Sequence, residues 1–344
     1  MITRVLFYVG VLWVGLMANA QANVEAVGTP LVAQTIRQWQ SAFTAAQGIR
    51  ASYTNSLEDI STAELYVGIY DLAVVEFPSS DYRLEQLGLI QFPLFSYGVA
   101  VVANVPGVAS EDLKLNGQVL ADIYLGKVTH WDHPSITALN PDLHLPHLAI
   151  TPVAQSDGVV TTLNFTRYLA AESAEWQQRV GLGSGLIWPL GVGEKDARSA
   201  AQKLLDTAGA IGFQSGMVLN ASKLGPVMLQ NKQGQFVSMT SERVQATIAR
   251  FLSDPKRNHW APVNLTGGDN WPINAIVYGQ IKRVPEDIPD AKEMVQFLTW
   301  SLTNINNPQV QPGLFPVPLK SIEPSLNLME TQKTFDGRPI RSRK

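Results

Sequence analysis

Three groups of residues in this chain have types and spacings that do chemistry. The first is the polar turn Gln155-Ser156-Asp157-Gly158. It follows an apolar run (Leu148, Ile150, Val153) and precedes Thr161 and a helical pattern with Phe165, Tyr168 and Leu169 on one face. A strand-turn-helix join of this kind aims free backbone amides and the positive end of a helix dipole at one spot, which suits an anion. Asp157 stands where a helix N-cap belongs, its carboxylate accepting from the first-turn amides. The second group is two His-x-x-His pairs, His130/His133 and His144/His147, set in proline-rich turns. No cysteine or glutamate completes a metal set around them, so they are expected to serve the surface or packing, with no metal bound. The third is Ser184 between Gly183 and Gly185, with no base arranged to activate it. These patterns predict a binding module rather than an enzyme, and no cofactor.

The residues around these groups set the compartment. Arg4 followed by the apolar run Val5 to Met17 is too short to span a bilayer, and small-x-small sites end at Ala20 and Ala22. Residues 1–22 therefore read as an export signal cleaved near Ala20 or Ala22. The 26 Lys and Arg residues against 29 Asp and Glu leave a net charge of −3, and no basic run is present before the tail Arg338 to Lys344. That balance argues against a nucleic-acid partner. Cysteine is absent, which in an exported chain fits the bacterial periplasm better than a small disulfide-stapled scaffold.

The elements that must position the turn follow from periodicity. Val32, Ile36, Trp39 and Phe43 predict a helix over 29–47 closed by Gly48. Leu65 to Val67 and Leu72 to Val75 read as short apolar segments. Gln91 to Val105 reads as two strands split by Ser96-Tyr97-Gly98. Gly181 to Lys195 is a glycine-rich connection, Ala208 to Phe213 a strand, and Ser241 to Leu252 and Asp290 to Leu302 amphipathic helices. Alternating helices and strands over this length predict an α/β fold of two lobes.

Several stretches together resemble one family, the periplasmic phosphate-binding proteins of phosphate ABC importers (PstS-type). They include Leu120-Ala121-Asp122-Ile123-Tyr124-Leu125-Gly126-Lys127 with Trp131-Asp132, Leu139-Asn140-Pro141, and the Ser156-Asp157-Gly158 turn with Thr161. Trp188 to Lys195, Ala208 to Phe213 and Trp271-Pro272-Ile273 follow in the same order. The resemblance implies a type 2 periplasmic-binding-protein fold, each lobe a mixed sheet flanked by helices and joined by hinge strands. It implies lobe one from 23–100 plus 265–344 and lobe two from 101–264. A small anion, phosphate or another oxyanion, would lie between them, and a monomer would serve an ABC permease in the inner membrane.

The resemblance also assigns the ligand shell, and here this chain differs from the family pattern. The family turn reads Arg-x-Asp-Gly-Ser-Gly-Thr, and this chain keeps Asp157, Gly158 and Thr161 but has Gln155 and Val159 for the arginine and serine. The family's Thr-Phe is matched to Pro30-Leu31, and its Gly-Ser-Ser-Gly loop to Leu57-Glu58-Asp59-Ile60. Its proton-accepting aspartate corresponds to Glu76. The expected ligand residues are thus Gln155, Ser156, Asp157, Gly158, Thr161, Glu76 and Glu58, with Arg50 and Arg83 the nearby cations of lobe one. These departures also support a second reading, a divergent sensor or interaction protein that keeps the fold and reads another ligand or a protein partner.

Overall fold

The computed structural model describes residues 23–155, 159–221, 225–254, 257, 259–285, 288–304 and 310–331. The expected leader, the turn residues Ser156, Asp157 and Gly158, and the basic tail lie outside the described residues. The chain begins with β1 (Val24–Gly28) and a 3-10 turn leading into α1 (Ala33–Gln47), then β2 (Ala51–Asn55), α2 (Glu58–Tyr66), β3 (Leu72–Val75) and α3 (Asp81–Gln86). Next come β4 (Leu89–Ala103), β5 (Lys114–Leu115), α4 (Gly117–Tyr124), α5 (Pro134–Thr137), β6 (Thr151–Gln155), α6 (Val160–Glu172) and α7 (Ala174–Arg179). They are followed by β7 (Val192–Glu194), α8 (Ala197–Asp206), β8 (Ala210–Ser215), α9 (Gly216–Ala221), β9 (Met228–Gln230) and β10 (Phe236–Val237). The last elements are α10 (Ser241–Ser253), β11 (Asn274–Lys282), α11 (Ile288–Thr303), β12 (Phe315–Pro316) and α12 (Leu319–Thr331).

Among the described residues nine strands form one curled sheet in the order β2-β1-β3-β11-β4-β8-β6-β7, with β12 beside β4; β10-β9-β5 make a small second sheet. The first lobe holds β1, parallel to β2 and β3, and the second holds β6, parallel to β7 and β8. β4 serves both. Its residues 89–98 pair with β11 and its residues 99–103 with β8.

Helix α1 keeps the predicted register. Ile36, Trp39 and Phe43 are buried, with the Trp39 ring 4.9 Å from Phe95 and the Phe43 ring 5.3 Å from Phe297. Full burial of each such side chain contributes roughly 1.5–3 kcal/mol. Gly48 ends the helix at φ 72°, its N–H donating to the Thr44 carbonyl at 2.9 Å, the left-handed closure that glycine accepts at least cost.

Three expectations are corrected. Leu65 to Val67 is the end of α2 rather than a separate apolar segment. The helix after the turn has Val159 as its N-cap with no side-chain capping bond, so the cap stands two residues beyond Asp157 and the helix begins at Val160. Finally, β4 runs unbroken through Ser96-Tyr97-Gly98. Its irregularity comes earlier: Val277 faces Phe95 while Tyr278 faces Pro93, which leaves Leu94 as the extra residue of a bulge. The bulge accommodates Pro93, which has no N–H for a regular ladder. Gly98 is there for space, since a Cβ at that point would lie 2.7 Å from Met239 Sδ and 2.8 Å from Val244.

Candidate ligand cleft

Parallel strands carry their ligands at their carboxyl ends, where the connecting loops diverge. In the first lobe β1, β2 and β3 end together, bringing Thr29, the start of α2 and Glu76 to one edge. In the second lobe β6 ends at Gln155, beside β8 and short of α6. Tyr97, on the shared strand β4, lies between the two edges.

A row of polar groups crosses this gap. Thr29 Oγ1 donates to Glu76 Oε1 at 2.5 Å and accepts from the Leu31 N–H at 3.1 Å. The Thr29 carbonyl accepts from the Tyr53 hydroxyl at 2.7 Å, which fixes the loop. The Tyr97 hydroxyl lies 3.4 Å from Thr161 Oγ1 at the start of α6. Burial, and next the Glu76 charge, hold the Tyr97 phenol well above its ordinary value of 10.0, so it stays a neutral hydroxyl. Glu76, Tyr97 and Thr161 thus connect the first lobe to the second.

Glu58 occupies a different position from the rest. Both its carboxylate oxygens accept from the Glu76 N–H, at 2.9 and 2.8 Å, and Oε2 also accepts from the Phe77 N–H at 3.3 Å. Burial raises its pKa above the ordinary 4.5, against the lowering effect of those amides. The sign of the linkage follows. Glu58 favours the folded state fully below its unfolded value, and that contribution is lost as the pH rises through the raised folded value. Glu58→Gln is therefore expected to flatten this part of the stability curve. Urea midpoints that fall equally in both proteins across the window would contradict this.

Gln155 is buried at the end of β6, its Nε2 donating to the Phe213 carbonyl and to Gln214 Oε1, both at 3.2 Å. Among the described residues, Gln155 Oε1 and Gln214 Nε2 are a buried acceptor and donor without partners. Neither expected cation is placed to serve the cleft. Arg83 pairs with exposed Asp59 at 3.2 Å, and Arg50 precedes β2, at the opposite end of that strand. The histidines regroup across their sequence pairs. His130 and His147 stack at 4.5 Å and His147 Nδ1 is 2.8 Å from Asp132, while among the described residues no three potential ligands gather around a metal position.

Residues 17–302 match the family model described as a PBP superfamily domain. Over 283 residues, 82% of this chain and 78% of the relative, the sequence is 33% identical to the phosphate-binding protein PstS of Xylella fastidiosa (strain 9a5c). The chain belongs to the PstS family. A phosphate-binding protein PstS from Haemophilus influenzae is 28% identical over 310 residues, 90% of this chain and 93% of that protein. Among solved structures, a high affinity periplasmic phosphate-binding protein (PfluDING) superposes with a TM-score of 0.62. At 16% identity, covering 92% of this chain and 96% of that one, it shares the two-lobed fold expected from the sequence.

Two residues of the polar row, Thr29 and Tyr97, are not among the ligand residues expected from the sequence. Thr29 immediately precedes the Pro30-Leu31 pair matched to the family's Thr-Phe, so a shift of one residue brings a threonine to that position. Tyr97 was hidden because Ser96-Tyr97-Gly98 read as a break between strands.

Proposed function

We propose that this chain is a periplasmic solute receptor of an ABC importer, closing its lobes (23–100 plus 265–344, and 101–264) on phosphate or another protonated oxyanion. The observation that carries this reading is the row Thr29–Glu76–Tyr97–Thr161, which joins the carboxyl ends of both parallel strand sets. Glu76 supplies an acceptor for a ligand proton, Thr29 holds that carboxylate in place, and the Tyr97–Thr161 hydroxyl pair keeps one proton to donate to a ligand oxygen. Ser156, Asp157 and Gly158, which precede α6 in the sequence, are ligand residues of this proposal from the family pattern alone. The names of the relatives support phosphate as the solute. A ligand touching both lobes favours the closed state by its difference in affinity between closed and open forms. The closed form of a monomer is then what an inner-membrane permease would read. The chain acts by binding, not as an enzyme, after removal of its leader near Ala20 or Ala22.

Calorimetry and thermal unfolding of the mature protein with phosphate test the reading. At phosphate about 100-fold above the dissociation constant, stability is expected to rise by about 2.7 kcal/mol. No heat and no shift at millimolar phosphate would refute it, and a response to another anion instead would reassign the solute.

A further inference from the structure

We infer that Glu58 is a resident anion in the cleft: its carboxylate takes the amide pair at the end of β3 that a ligand oxygen would otherwise use, and so limits how tightly an oxyanion is held. The inference rests on the phosphate reading above for its probe.

The geometry comes first. Backbone N–H groups in succession form a concave donor site for anions. The N–H groups of Glu76 and Phe77 are such a pair, and they lie on the loop that presents the Glu76 side chain to the cleft. They are already taken, because both Glu58 oxygens accept from them at 2.8–3.3 Å. Glu58 reaches them from the first residue of α2, a helix whose N-cap Leu57 makes no side-chain bond. An acid in a first turn commonly turns back onto its own helix, where the dipole favours it. This one extends across to the neighbouring strand end instead.

Position gives the second argument. Glu58 and Glu76 both act on the phenol of Tyr97, the group bridging the lobes, and on that of Tyr53 beneath Thr29. A carboxylate so placed is near enough to repel an incoming anion as well as to deny it two donors. A bracing role between α2 and β3 needs the same hydrogen bonds but makes no difference to ligand affinity, and this separates the two accounts.

The experiment is phosphate titration by calorimetry of the mature wild-type protein, Glu58→Ala and Glu58→Gln, with far-UV circular dichroism to confirm folding. Glu58→Ala frees both amides and is expected to bind phosphate roughly ten- to a hundred-fold more tightly, the value of one charge-assisted hydrogen bond. Glu58→Gln is nearly isosteric and its remaining oxygen, in the Oε2 position, still accepts from both amides, so its gain should be smaller, about three- to ten-fold, from the lost charge. Affinities of both variants within two-fold of wild type, or weaker, would leave Glu58 as a brace and overturn the inference. Equal gains in the two variants would assign the effect to charge alone and overturn the occupied-amide account. Should Glu58→Ala fail to fold, Glu58→Ser, whose side chain is likewise too short to reach the amides, takes its place beside Glu58→Gln under the same criteria. Wild-type protein that binds no phosphate would count against the functional reading; binding that then emerges in a variant still supports the role of Glu58, and none in either overturns it.

Discussion

Replacing Gly28 by alanine is expected to lower stability by roughly 3–5 kcal/mol and to abolish ligand binding in the fraction that folds. Gly28 ends β1 between β2 and β3, at φ +156°. A Cβ there would lie 2.0 Å from the Val74 carbonyl oxygen and 2.9 Å from the Tyr53 hydroxyl. Neither neighbour can yield cheaply. That carbonyl accepts from the Thr29 N–H at 2.9 Å, and the tyrosine holds the Thr29 carbonyl at 2.7 Å. The substitution must push β1 from β3 and carry Thr29 away from Glu76, so stability and binding are lost together. Urea unfolding and phosphate calorimetry measure the two effects. A wild-type midpoint would mean that the strand ends part there without cost.

Trp271→Ala carries the second large expectation, a loss of about 3–5 kcal/mol. Trp271 is completely buried where the chain returns to β11. Its Nε1 donates to the Val99 carbonyl at 3.0 Å, and its backbone N–H donates to Thr247 Oγ1 at 3.0 Å. The ring therefore ties the returning chain to β4 at the point where β4 exchanges β11 for β8. Trp271→Phe keeps most of the volume and loses the ring hydrogen bond, which costs about 1 kcal/mol or somewhat more, since the Val99 carbonyl is then left without that donor. Chemical denaturation of both variants separates packing from the hydrogen bond. A loss under about 1 kcal/mol for the alanine variant would contradict the assignment.

The helices were the most legible part of this fold. Over α1 and α10 the apolar spacing matched one buried face, because a surface helix has one period and one partner. β4 was harder. A strand buried along nearly its whole length shows no alternation, and a glycine within it signals a break even when it is there to admit Met239 and Val244. The cleft was only half legible. Glu76 and Thr161 were named from the family pattern and take part in the row that joins the lobes. Thr29 and Tyr97 owe their places to tertiary pairing of strand ends, which no local pattern encodes. Glu58 comes from the same pattern, but nothing in it says that the carboxylate takes the amides of Glu76 and Phe77. That choice depends on a neighbouring strand and not on the sequence around position 58.

The sharing of β4 also governs how the protein can be divided. A cut ahead of residue 89 would part β11 from β3, and a cut within 99–103 would break the pairing of β4 with β8. Either fragment, made alone, would present a bare row of strand donors and acceptors open to pairing with other chains. One span of fifteen residues thus makes each lobe the guard of the other's edge, so the intact chain hides surfaces that separated halves would use to aggregate.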